Sequence, residues 1–164
     1  MVINSQMVWE GKTYKLRYED LDSFGNLPYE KCRQVYGVCF YKDKMVIGFG
    51  GKKADWGLIG GTIGKGESFE ETLVREIVEE SNMKVVKSSP IGTQEVFYPD
   101  GSSIHQLRFV AIVVPIGKFE GDPAGSVKKI KLINPKDYKK YLDWGDIGDR
   151  IIERALRLKE SFQI

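Results

Sequence analysis

Every residue from Phe109 to Val114 is apolar, and the surrounding segment His105–Pro115 predicts a central strand covered on both faces. Other stretches alternate instead. Tyr14, Leu16 and Tyr18 interleave with Lys15 and Arg17, the period of a half-buried strand, and residues 7–18 predict a hairpin around Glu10-Gly11-Lys12. Val35–Tyr41 and Met45–Phe49, joined by Lys42-Asp43-Lys44, predict a second hairpin. Shorter strands are expected at Trp56–Ile59, Val85–Val86, Gln94–Tyr98 and Ile130–Ile133. Residues 19–33 form a connector, with a short helix near Tyr29–Arg33, and Pro99-Asp100-Gly101 is a turn. Helical spacing enters twice. One stretch follows Ser68; the other is Ile147–Phe162, where Ile151, Ile152, Ala155, Leu156 and Leu158 make an apolar stripe opposite a basic, solvated face. Strands before and after a helix, a closing helix and no repeating βαβ pattern predict an α+β fold. Neither a linker nor an internal repeat divides the chain, so residues 1–164 are read as one domain.

The first helix carries the candidate chemistry. Ser68 with Glu71 three positions later is a capping box, and Asn82 stands where a left-handed residue would end the helix. At about 100° per residue, Glu76, Glu79 and Glu80 fall within roughly a 100° arc. Leu73, Val74, Ile77 and Val78 occupy a broadly opposing arc, expected to face the core. Like charges three and four positions apart disfavour the helix by a few tenths of a kcal/mol per pair. Arg75, four before Glu79, offsets part of that, and a divalent cation would offset the rest. Carboxylate oxygens suit Mg²⁺ or Mn²⁺. A plain solvated face is the competing explanation for any Glu-rich helix.

The spacing favours the cation. Gly61, five residues, Glu67, seven residues, Arg75-Glu76, Ile77, one residue, Glu79-Glu80, one residue, Asn82, Met83 resembles the Nudix box. Every fixed position matches except Asn82, where the family has Gly, and Asn tolerates the positive φ required there. The preceding Asp55–Gly60 is also similar to the family's approach to the box, with Ile59 where many members carry Pro. The box spans 23 of 164 residues.

That resemblance implies the Nudix fold, a mixed β-sheet sandwiched between α-helices, and hydrolysis of a nucleoside diphosphate linked to another moiety. It implies Glu79 and Glu80 as principal metal ligands, Glu76 as a further ligand or general base, and the Gly60 carbonyl as a backbone ligand. Glu67 becomes an accessory metal group, and Arg75 orients Glu79 through an ion pair. Many members add a carboxylate from a later loop, where Glu120 lies with Asp122 nearby. A Nudix-fold module that binds nucleotide without turnover is the alternative, and the complete acidic set speaks against it. The substrate stays open among nucleoside triphosphates, NDP-sugars, dinucleoside polyphosphates and capped RNA.

Composition adds limits. A net charge of +2 gives no reason to invoke nucleic acid. Cys32 and Cys39 lack metal or disulfide spacing, so buried free thiols in a reducing cytoplasm are expected. The single His105 leaves no His-based zinc site and is read as a structural hydrogen-bonder. Phe49, Phe97 and Trp144 are candidates for base stacking, and Lys52 and Lys53 for phosphate contact, against the commoner roles of core and solvated loop. No signal peptide or transmembrane run is expected. A homodimer remains open, since no residue fixes it.

Overall fold

The apolar strand at the centre organises the sheet. In the computed structural model, which describes residues 1–162, it is β8 (Ser103–Pro115), paired with β7 (Met83–Phe97) antiparallel and with β3 (Cys32–Tyr41) parallel. The last two positions of the expected 1–164 domain lie outside the described residues. Outward from β7 run β2 (Lys12–Asp20) and β1 (Val2–Trp9), a hairpin turning at Glu10-Gly11. Outward from β3 run β4 (Lys44–Gly50) and then β5 (Asp55–Gly57) and β9 (Val127–Ile133), both paired with β4. β6 (Ile59–Thr62) pairs with the start of β3. One parallel pair among antiparallel ones makes the sheet mixed.

Alternation along the central strands divides the core into two layers. Val35 and Cys39 of β3 and Leu107, Phe109 and Ala111 of β8 face α1 (Phe69–Ser81), meeting Leu73 and Ile77. Val38 and Phe40 of β3, Val110 of β8 and Met45 and Ile47 of β4 face α2 (Gly145–Ser161), meeting Ile147, Ile151 and Ala155. Helices therefore cover opposite faces of the sheet, as an α+β sandwich requires. His105 is buried and hydrogen-bonds Thr93 Oγ1 at 3.0 Å, and both cysteines are buried and free.

Three expectations need correction. The predicted strand Trp56–Ile59 is two strands, β5 on β4 and β6 on β3, with Leu58 between them. The two fragments after the helix are one strand, β7, which runs through Pro90 because the register shifts between Pro90 and Gly92. Val74 and Val78 are 44% and 39% exposed, whereas Thr72, Glu76, Glu80 and Ser81 are buried. The helix is thus rotated so that acids, not valines, enter the interior.

Both ends of α1 form as the sequence implies. Ser68 Oγ accepts from Glu71 N–H at 3.1 Å while Glu71 Oε1 accepts from Ser68 N–H at 3.1 Å. Asn82 closes the helix in the left-handed region at φ 51°, ψ 43°. Ser68→Ala is expected to lower stability by about 1 kcal/mol, readable as a shifted urea midpoint with unchanged slope.

Candidate active site

The loop 63–68 and the first strands set α1 so that its acidic arc closes on the end of the sheet. Gly60 and Gly61 of β6 lie directly against it. A Cβ on Gly61 would stand 2.6 Å from Glu76 Oε1, so glycine is what lets the carboxylate approach the strand. Gly60 N–H donates to Glu80 Oε1 at 2.8 Å.

Arg75 is the hub of the remaining acids. Its Nε and Nη2 donate to the two Glu67 oxygens at 2.8 and 2.9 Å, a bidentate pair. Its Nη1 donates to Glu76 Oε1 at 3.0 Å and to Glu79 Oε2 at 3.2 Å. The expected Arg75–Glu79 ion pair is present, and Glu67 and Glu76 share the same guanidinium. Glu67 also accepts from Gly64 N–H at 2.7 Å and Thr72 Oγ1 at 3.1 Å, which ties the loop to the helix. Hydrogen bonds from Arg75 above all hold the Glu67 pKa down to about 2.

Glu80 and Glu76 are both shifted the opposite way from Glu67. Glu80 is 5% exposed and has no cationic partner among the described residues; burial pushes its pKa up to about 8, with Glu76, Asp122 and Glu79 adding like charge. Glu76, 9% exposed, is also raised by burial, against the pull of Arg75. Of the two loop acids, Asp122 is the one whose charge acts on Glu76 and Glu80. Glu120 is exposed, with no contact to the cluster among the described residues. Asp122 is held in its loop by backbone bonds to Val127 and Gly125 and by a 2.8 Å bond from Ala124 N–H to its side chain.

Four carboxylates thus share one guanidinium, which bonds Glu67, Glu76 and Glu79 and leaves Glu80 without a cation among the described residues. This excess of hard oxygen donors fits Mg²⁺ or Mn²⁺. Among the described residues no three such side chains enclose an ion-sized point as they stand, because three are turned onto Arg75 and Glu80 onto Gly60.

The other candidates are scattered. Phe49 packs edge-on against Trp56 at 5.2 Å and belongs to an aromatic cluster. Trp144, 45% exposed, and Lys53 line a cleft on the α2 side of the sheet. Arg108 of that cleft is absent from the candidates drawn from the sequence; its signal there is an Arg set directly before the apolar run Phe109–Val114.

A mixed sheet between two helices, with a capped acidic helix against a glycine strand, defines a structural class, and comparison places the chain in it. The family model for the NUDIX domain matches residues 33–155, so the chain belongs to the NUDIX family. No curated protein matches the chain. Among solved structures it is similar to the pyrophosphohydrolase BsRppH of Bacillus subtilis, with TM-score 0.69 at 18% identity over 91% of this chain and 94% of that one. It is similar also to the NUDIX domain of Shewanella oneidensis NrtR complexed with ADP ribose, with TM-score 0.63 at 19% identity over 83% and 96%. A NUDIX hydrolase from Nitrosomonas europaea gives TM-score 0.60 at 17% identity over 82% and 97%. Among the described residues no helix is long and apolar enough to cross a membrane.

Proposed function

We propose that this chain is a divalent-metal-dependent hydrolase, using Mg²⁺ or Mn²⁺, that cleaves the phosphoanhydride bond of a nucleoside diphosphate linked to another moiety. One observation carries the reading: Glu80 is buried beside Glu76 with a single backbone N–H for company. Burying a carboxylate without a cation is unfavourable unless the group binds something positive or stays protonated.

When bound, the cation neutralises phosphate oxygens and makes water a stronger acid. Glu79, Glu80 and the Gly60 carbonyl are the residues that would hold it, with Asp122, in place of Glu120, approaching from the loop. Glu76 adds a ligand or accepts the proton of the attacking water, a task its raised pKa suits. Arg75 keeps Glu79 turned toward the site. Glu67 holds Arg75 and the loop together and is an accessory ligand at most. Residues 1–162 act as one unit, since β2 of the N-terminal hairpin pairs with β7 of the matched region.

The test is product release from nucleoside triphosphates, NDP-sugars, ADP-ribose and dinucleoside polyphosphates, with Mg²⁺, with Mn²⁺ and with chelator. Cation-dependent cleavage of one class is the expected result. Silence across the panel with tight nucleotide binding would replace the hydrolase by a binding module.

A further inference from the structure

The cleft on the α2 side ends on a group that the hydrolytic chemistry does not use. Arg108 of β8 is 4% exposed and lines a cavity of about 910 Å³. Among the described residues its Nε and Nη1, both fully buried, have no hydrogen-bond partner, and its Nη2 donates only to Gln106 Oε1, at 3.3 Å. An aromatic ring stands beside it in place of a carboxylate: the guanidinium carbon is 4.9 Å from the Tyr36 ring centroid. Among the described residues no acid pairs with it. Burial lowers its pKa only to about 10, so it stays charged at neutral pH. Stacking on Tyr36 offsets part of the desolvation and leaves an uncompensated buried cation.

Three amides, Gln34, Gln94 and Gln106, line the cavity with it. Gln106 Nε2 donates to Gln34 Oε1 at 2.7 Å, and Gln94 Nε2 donates to Gln106 Oε1 at 3.2 Å, linking β3, β8 and β7. The indoles of Trp9 and Trp144 stand at its sides. A second cavity of about 700 Å³ shares Gln34, Tyr36, Gln106 and Trp144 with the first and reaches Gly60 and Glu80. Gly60, Tyr36 and Arg108 occupy matched positions on three neighbouring strands. Arg108 therefore lies two interstrand spacings, about 10 Å, from Gly60. A diphosphate seated at Gly60 brings the group attached to it, not its own phosphates, over Arg108.

We propose that Arg108 and the amides of Gln34, Gln94 and Gln106 read the base of the nucleotide and select a 6-oxopurine, guanine or hypoxanthine, over adenine. A guanidinium offers donors only. The O6–N7 edge of guanine is all acceptor, whereas adenine places an amino donor there. The exposed indole of Trp144 supplies a face for a planar ring, while that of Trp9 is covered by Lys53 Nζ at 4.1 Å. Base selection here rests on Gly60 and Glu80 being the hydrolytic end of the cleft.

The experiment is calorimetric titration of GDP, IDP and ADP into the full chain in EDTA, where no turnover occurs. GDP and IDP are expected to bind about tenfold or more tightly than ADP. In Arg108→Met that ratio falls to about one, while the thermal midpoint holds or rises because a buried uncompensated charge is gone. If Arg108→Met does not fold, Gln106→Met is read in the same titration and is expected to shrink the ratio at least threefold, roughly the loss of one floor contact. Equal affinities, tighter ADP binding, absent binding or an intact preference in the variant overturns base selection. A chain that selects GDP yet hydrolyses nothing overturns the hydrolase alone. One that cleaves guanine and adenine substrates equally overturns base selection alone.

Discussion

Glu79→Gln is expected to cut cation-supported hydrolysis by about 10²-fold or more, with the fold intact. The side chain is 36% exposed, and its one ion pair among the described residues, to Arg75 at 3.2 Å, is of the helical i,i+4 kind. Such a pair contributes only a few tenths of a kcal/mol, and Arg75 stays anchored by Glu67 and Glu76. The thermal midpoint should therefore hold within about 2 °C. Gln keeps the shape of Glu and one acceptor oxygen but not the negative charge that a ligand to a divalent cation supplies. The loss should appear in kcat at saturating cation and in a higher cation concentration for half-maximal rate. Glu70→Gln is the control: Glu70 is exposed in the first helical turn, on none of the bonds that organise the site. Wild-type turnover by Glu79→Gln would remove Glu79 from the ligand set, whereas equal losses in both variants would point to helix stability instead.

The site was legible because local rules and chemistry coincide over α1. Ser68, Glu71 and Asn82 declare the helix ends through bonds made within a few residues, and Glu67, Arg75 and Glu79 meet through helix and loop spacing alone. What spacing did not disclose was rotation. Val74 and Val78 outrank Glu76 and Glu80 in hydropathy, yet the acids are inside, because Gly61 leaves room for the Glu76 carboxylate where another residue's Cβ would collide, and the Gly60 N–H bonds Glu80. Hydrophobic periodicity predicts the buried side only when burial is driven by apolar area. The same limit applies to Arg108, whose role depends on Tyr36 and Gln106, the first of them seventy-odd positions away on a strand joined only by the fold. β7 shows in the sequence only as Val85–Val86 and Gln94–Tyr98, and between them stands Pro90, a residue that breaks a ladder in principle. In the structure the break is absorbed by a register shift, and the Ile91 carbonyl accepts bonds from Leu21 N–H, Tyr18 Oη and Arg154 Nε. Of the two loop acids it is Asp122 whose charge reaches Glu76 and Glu80, and its place in the loop is fixed by backbone bonding that residue type alone does not reveal.

Without cation, the protein is expected to lose stability as the pH rises from 6.5 to 8. Glu80 has a folded pKa of about 8 against an ordinary 4.5. Its folded form holds the proton more tightly, so its contribution is full below about pH 4.5 and is lost as pH rises through 8. Glu76 is shifted in the same direction. Buried His105 is shifted down and works with the opposite sign, but its contribution is complete above 6.5. The thiols of Cys32 and Cys39 are raised too, and enter only above about pH 8. Between 6.5 and 8 the acids therefore set the slope, about 1.4 kcal/mol per pH unit for one fully shifted group. Roughly 2 kcal/mol over the window corresponds to a fall of about 4–8 °C in a domain of this size. Saturating Mg²⁺ should reverse the trend. A cation that binds only the folded chain adds about 2.7 kcal/mol at a hundred times its Kd, and it binds better as its carboxylates deprotonate. The thermal midpoint should thus fall with pH in chelator and hold or climb in Mg²⁺. In Glu80→Gln, which keeps the acceptor for Gly60 N–H but cannot ionise, the chelator curve should flatten. A wild-type curve already flat in chelator would mean that Glu80 is ionised and compensated without metal, and the buried carboxylate would then no longer argue for a cation.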